Sequence, residues 1–182
     1  MKLMFASDIH GSEYFLDILL ERFKEEAPDK LILLGDLLYH GPRNDLPKGY
    51  APKEVIKKLN AMKSELLCVR GNCEAEVDQM VLEFPIMADY AVLFLDNRMV
   101  YLTHGHQYNL ENKPPMNKGD ILIHGHTHVQ AMIEQDGILY LNPGSVSIPK
   151  DGNENSYMIY ENGEFLFKKI VKSEEPEKIV KN

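Results

Sequence analysis

Apolar residues fall along the first half of the chain in two alternating rhythms. Residues 2–7 form a short apolar run that stops at Ser7-Asp8, the pattern of a buried strand entering a loop. Over residues 12–26 the apolar positions Tyr14, Phe15, Ile18, Leu19 and Phe23 recur at helical spacing, with Ser12 placed to cap the helix. Leu31–Leu34 predicts a second buried strand, stopped by Gly35-Asp36. Residues 37–51 read as a loop. Pro52 suits the first position of a helix whose apolar face is Val55, Ile56 and Leu59. Glu65–Val69 predicts a third strand, stopped by Arg70-Gly71-Asn72. The order β-α-β-α-β predicts parallel strands joined by crossover helices.

The second half carries a different pattern. Residues 91–95, 98–103, 119–123, 129–134, 137–141, 156–160 and 164–170 are short β-rich runs, and Asp96-Asn97 and Gln135-Asp136-Gly137 mark hairpin turns. They predict a mixed or antiparallel sheet with few helices. The expected architecture is α/β, two sheets face to face with helices outside, in one domain over residues 1–172. The polar run 173–182 is expected to be a fraying tail.

Composition narrows the class. The chain has 182 residues, enough to bury a core without disulfides. Its only cysteines, Cys68 and Cys73, form no CxxC pair, so a disulfide framework or a zinc knot is not expected. No run approaches a membrane span, and the opening apolar run is shorter than a signal-peptide core, so the expected location is cytoplasmic, with no membrane partner. The formal charge of -8 disfavours long nucleic acid and anionic membrane as partners. A small anionic substrate stays compatible with it if one local site has the opposite sign.

The chemistry lies where the predicted strands end. Asp8-Ile9-His10 follows the first, Gly35-Asp36 the second and Gly71-Asn72-Cys73-Glu74 the third; Thr103-His104-Gly105-His106 and Gly125-His126-Thr127-His128 come later. Ligands of open α/β sheets bind beyond the carboxyl ends of the strands. If the backbone is extended, Asp8 with His10, and His126 with His128, each point the same way. One HxH or DxH is more often a packed or exposed pair than a metal site. The ordered series of five clusters, each after a predicted strand, is very improbable by chance. Asp8, His10, Asp36, Asn72, His104, His126 and His128 make an oxygen/nitrogen ligand set too large for one four-coordinate ion. It suits two divalent ions sharing a carboxylate. Such ligands select Mn, Fe, Zn, Ni or Co over Ca but do not choose among them; manganese is the first expectation.

The series resembles that of the calcineurin-like metallophosphoesterases, and more closely the small bacterial and archaeal phosphodiesterases of the YfcE type. The likeness rests on MKLMFASDIHGS, LLGDLLYHGPRN, GYAP, VRGNCEAEVDQM, LTHGH, GHTH and NPGSVSIPK. It implies a four-layer αββα sandwich. It also implies that Asp8, His10 and His128 hold one metal, that Asn72, His104 and His126 hold the other, and that Asp36 bridges both. The implied activity is hydrolysis of small phosphodiesters by a metal-bridging hydroxide that attacks phosphorus. A phosphomonoesterase or pyrophosphohydrolase on the same site is the alternative. A non-catalytic interaction scaffold of this fold is disfavoured because all seven positions are retained.

One position departs from the wider superfamily, where GNH[DE] is common. Cys73 stands in place of that His, and a thiol is a poor substitute for an imidazole acid. His106, two residues from His104, is then the candidate to protonate the leaving group. Arg43, in the loop after Asp36, is a candidate to fork onto a phosphate oxygen, and Asn44 is a weaker one. His40 is read as a loop stabiliser, His124 as a strand residue, Cys68 as core, and Ser145 as part of a turn rather than a nucleophile. A homo-oligomer is compatible with so small a chain, but no residue argues for it.

Overall fold

The computed structural model describes residues 1–171; the tail expected over 173–182 lies outside the described residues. Ten strands and three short α-helices follow in order: β1 (Lys2–Ala6), α1 (Glu13–Glu26), β2 (Lys30–Leu33), α2 (Pro52–Ala61), β3 (Leu66–Cys68), α3 (Glu76–Gln79), β4 (Tyr90–Leu95), β5 (Arg98–Thr103), β6 (Ile121–Ile123), β7 (Gln130–Gln135), β8 (Ile138–Pro143), β9 (Ser156–Glu161) and β10 (Glu164–Lys169). Two mixed five-stranded sheets result, in the orders β10-β9-β1-β2-β3 and β4-β5-β6-β8-β7. In the first, β1, β2 and β3 are parallel, as the crossover helices require. In the second, β5, β6 and β8 are parallel, and β4 and β7 add antiparallel edges.

The period-2 pattern of β1 sorts its side chains between two cores. Leu3 and Phe5 join Ile32, Val100, Leu102, Ile121, Leu141 and Met158 between the sheets. Met4 and Ala6 face the other way, onto Leu16, Leu19 and Phe23 of α1 and Val55 and Leu59 of α2. Each of the larger of these buried side chains contributes about 1.5–3 kcal/mol of transfer free energy. Ser12 caps α1 by accepting the Phe15 N–H at 3.2 Å, and Ala27 closes it in a left-handed conformation. Pro52 occupies the first turn of α2.

Two features go beyond local pattern. The final hairpin β9–β10 crosses back to the first sheet, where β9 pairs antiparallel with β1 and closes its open edge. The outer face of the second sheet, at Leu122, Ile138 and Tyr140, packs against Leu110 and Met116 of the irregular segment between β5 and β6. No helix among the described residues is long and apolar enough to cross a membrane.

Candidate metal centre

The seven predicted ligand residues come from five loops at one end of the two sheets, and the structure brings all of them together. His10 Nε2 and His128 Nε2 lie 3.5 and 3.2 Å from Asp8 Oδ1 and 3.3 Å from each other. His104 Nε2 lies 3.1 Å from Asn72 Oδ1, 3.2 Å from His126 Nδ1 and 3.4 Å from Asp36 Oδ2. Asp36 stands between the two groups, with Oδ2 also 3.8 Å from His10 Nε2. Asp8, His10, Asp36, His104 and His128 are buried, whereas Asn72 is exposed.

The predicted pairs meet for a reason other than the one expected. Asp8 (φ 60°), His10 (φ 49°), Asp36 (φ 57°), His126 (φ 66°) and His128 (φ 62°) are left-handed, not extended. The i, i+2 argument for these pairs is therefore corrected: tight turns aim the side chains inward. Left-handed backbone costs a non-glycine residue about 1–3 kcal/mol, so these conformations persist only where surrounding contacts hold them. Those contacts are visible. Amide N–H groups of Asp8 and His10 donate to the carbonyls of Gly35 and Asp36, at 3.1 and 2.9 Å. The hydroxyls of Ser145 and Ser147 both donate to the Asp8 carbonyl, at 3.0 and 3.1 Å. The Asn142 amide donates to the Gly125 carbonyl at 2.8 Å and to Thr127 Oγ1 at 3.0 Å, fixing the turn that carries His126.

Hydrogen bonds behind the site also choose the imidazole tautomers. Nδ1 of His10, His104 and His128 donates to the carbonyls of Tyr39, Leu34 and Ile148, at 2.7, 2.6 and 2.5 Å. In each neutral ring Nε2 then carries the lone pair and faces the centre, as metal-ligating histidines are held. Several acceptors thus crowd together, and Asp8 Oδ1 is buried with no hydrogen-bond partner among the described residues. Such a cluster demands positive charge. Burial opposes charge on His104, yet Asp36 and Asp8 outweigh it and lift the imidazole to about 9. Burial and the neighbouring His104 push His126 down to about 4. The donor set and the unpartnered carboxylate oxygen fit divalent cations: three mutually close groups, Asp8–His10–His128, His10–Asp36–Cys73 and Asp8–Asp36–His104, offer ligand atoms.

Glu74 is a functional residue that the sequence reading missed. Its buried carboxylate accepts the backbone N–H groups of Asp36 (2.8 Å), Leu37 (2.7 Å) and Gly71 (2.5 Å), and so ties the Asp36 loop to the Asn72 loop. Burial and the nearby Asp36 raise its pKa, against the pull of those three donors. The acidic residue two places after Asn72 was the available signal. Gly71 has to be glycine because a Cβ there would stand 2.1 Å from Asp36 Oδ1 and 2.5 Å from Glu74 Oε2. At Gly125 a Cβ would stand 1.9 Å from Ser7 Oγ.

Beyond the cluster opens a cavity of about 430 Å³ lined in part by His10, Asp36, Arg43, Asn44, His128 and Lys150. Arg43 is therefore on the cavity wall, as is Cys73, whose thiol burial and Asp36 push well up. His106 is near but differently placed. Its ring is 5.5 Å from that of His104 and 6.3 Å from that of His126, yet it is not among the cavity-lining residues. Burial, with His104 next, lowers its pKa. His124 is buried beneath the site, its Nδ1 donating to the Gly125 carbonyl and its Nε2 accepting the Tyr140 hydroxyl, with burial pushing its pKa to about 4. His40 packs edge-on against Tyr39 and Tyr50.

Known proteins resemble this chain. A family model described as the calcineurin-like phosphoesterase superfamily domain matches residues 1–164. The phosphodiesterase YfcE of Escherichia coli K12 is 49% identical over 162 residues, 89% of this chain and 88% of that protein. A solved structure of the E. coli YfcE phosphoesterase superposes with a TM-score of 0.91 at 47% identity, covering 93% of each chain. The phosphodiesterase MJ0936 of Methanocaldococcus jannaschii is 26% identical over 151 residues, 79% of this chain and 83% of that protein. Taken with two mixed sheets that converge on one histidine- and aspartate-rich rim, these likenesses establish that the chain belongs to the calcineurin-like phosphoesterase superfamily.

Proposed function

We propose that this chain is a metal-dependent phosphoric diester hydrolase with a dinuclear centre, acting on small phosphodiesters. Asp8, His10 and His128 would hold one divalent ion and Asn72, His104 and His126 the other, with Asp36 shared. Manganese is the first candidate. The observation that carries this reading is the meeting of two ligand groups on either side of Asp36 Oδ2, 3.8 Å from His10 Nε2 and 3.4 Å from His104 Nε2. A pair of divalent ions supplies a water of lowered pKa and charge neutralisation at the phosphoryl oxygens.

The chain's own residues do the rest. Asp36 is kept in register by Glu74 through its own N–H and that of Leu37. Arg43, on the wall, can fork onto a non-bridging phosphate oxygen and orient the diester. Cys73 stays a neutral thiol, since its pKa is pushed well up, and is no proton donor of useful strength. His106 is the proposed donor to the leaving oxygen; its buried Nδ1 has no partner among the described residues. With no strong acid lining the cavity, good leaving groups are favoured. The test is hydrolysis of bis(4-nitrophenyl) phosphate by metal-quantified protein, with Mn²⁺ and after chelation. Metal-dependent turnover is expected. An inactive protein that binds no metal would sink the proposal.

A further inference from the structure

The cavity is richer in positive charge than a simple phosphodiester requires. Two divalent ions against Asp8 and Asp36 would leave about +2 at its floor by ion counting, or about +1 once a hydroxide is bound. Arg43 adds a further cation on the wall. A phosphodiester carries one negative charge, so these groups already exceed it. Yet a second wall residue, Lys150, is also cationic. Its backbone is fixed beside the centre. The Lys150 N–H donates to the carbonyl of His128 at 3.1 Å, and its own carbonyl accepts the N–H of Asn153 at 2.9 Å and that residue's side-chain amide at 2.9 Å. The side chain is exposed and has no acidic partner among the described residues.

The rest of the lining decides what kind of molecule fits. At about 430 Å³ the cavity is far larger than one phosphate. Apart from the histidines at the metal centre, its lining has no aromatic ring, so nothing is offered for a nucleobase to stack on. Asn44, Thr127 and backbone-rich Gly41-Pro42 present polar groups instead.

Resting on the proposed hydrolase reading, we infer that Lys150 is a specificity-determining residue that receives a second anionic group, so that the substrate class is a polar, non-aromatic phosphodiester bearing a further phosphate or carboxylate. Arg43 serves the reacting phosphate; Lys150 reads the remote anion. The two roles separate in a binding experiment that needs no turnover. Calorimetric titration of the metal-loaded protein would use sn-glycerol 3-phosphate as the one-anion probe and fructose 1,6-bisphosphate as the two-anion probe. A charge-assisted contact predicts tighter binding of the bisphosphate by about tenfold. Lys150→Ala should collapse that ratio towards one, and Lys150→Arg should restore most of it. Arg43→Ala should weaken both probes alike and leave the ratio standing. A wild-type ratio near one, or a ratio that survives Lys150→Ala, overturns the inference. Absence of diester hydrolysis would instead strike the hydrolase reading, whatever the binding ratio.

Discussion

Removal of the Glu74 carboxylate should loosen the centre more than its distance from any reacting atom suggests. Its two oxygens accept three backbone N–H groups, those of Asp36 (2.8 Å), Leu37 (2.7 Å) and Gly71 (2.5 Å), and the residue is 5% exposed. Hydrogen bonds to a charged acceptor are worth about 1.5–3 kcal/mol each, and a buried donor left without a partner costs about 1–3 kcal/mol. Glu74→Ala strands all three donors, so a loss of about 4 kcal/mol or more is expected, a large share of the ~5–15 kcal/mol that holds a domain together. Glu74→Gln is the milder perturbation. Its remaining oxygen can keep Asp36 and Gly71 while its NH₂ faces the Leu37 N–H, so about 2 kcal/mol should be lost. Urea unfolding of both variants measures these differences, and metal content measured on the same samples reports whether Asp36 has moved. An Ala variant within ~1 kcal/mol of wild type, with full metal content, would refute the bracing role. If the Ala variant does not fold, a Gln variant indistinguishable from wild type carries the same refutation.

Three further outcomes are expected. Asp36→Asn should lower turnover of a bis-aryl phosphate by ~10³-fold or more and reduce metal content, whereas Arg43→Ala should cost about 10–100-fold with metal retained; equal, mild effects in kinetic assays would count against a shared carboxylate. His106→Ala should harm alkyl phosphodiesters more than nitrophenyl esters, and an unchanged ratio of kcat/KM across leaving groups would remove His106 from the reaction. Glu26 accepts Lys168 Nζ and Lys2 Nζ at 2.7 and 2.9 Å; burial pushes its pKa up, but these cations outweigh it and hold the carboxyl below 4.5. Its stabilisation is therefore present above pH ~4.5 and lost as pH falls through the lower folded value. With the side chain 15% exposed, Glu26→Gln should cost about 1 kcal/mol at pH 7 and progressively less below pH ~4.5; a constant difference between pH 7 and 3 in unfolding titrations would contradict the pairing.

Local pattern carried much of this protein. The alternation in β1, the helical spacing and Ser12 cap of α1, Pro52 at the head of α2 and the turn residues between β-runs are effects of neighbours in the chain, and each reappears in the structure. The seven candidate ligands were legible too, since strand-end positions and residue chemistry can be read in order along the chain. Sequence groups the final hairpin with the other β-runs of the second half, whereas it pairs with β1 in the first sheet, because strand pairing is a competition among edges that periodicity does not rank. It misjudged the backbone at Asp8, His10, His126 and His128, because a left-handed aspartate or histidine is unfavourable by itself and is held only by distant contacts such as Ser145 and Ser147 on the Asp8 carbonyl. It was silent on Glu74, whose three donors come from two other strand ends, and on Lys150, whose place beside His128 is a single backbone hydrogen bond. Residue type and spacing thus determined which groups could do chemistry, while the tertiary structure decided their tautomers, their charge and which of them face the cavity. The physical reason is that these last properties depend on buried contacts between segments remote in sequence, where desolvation makes each missing or added hydrogen bond count.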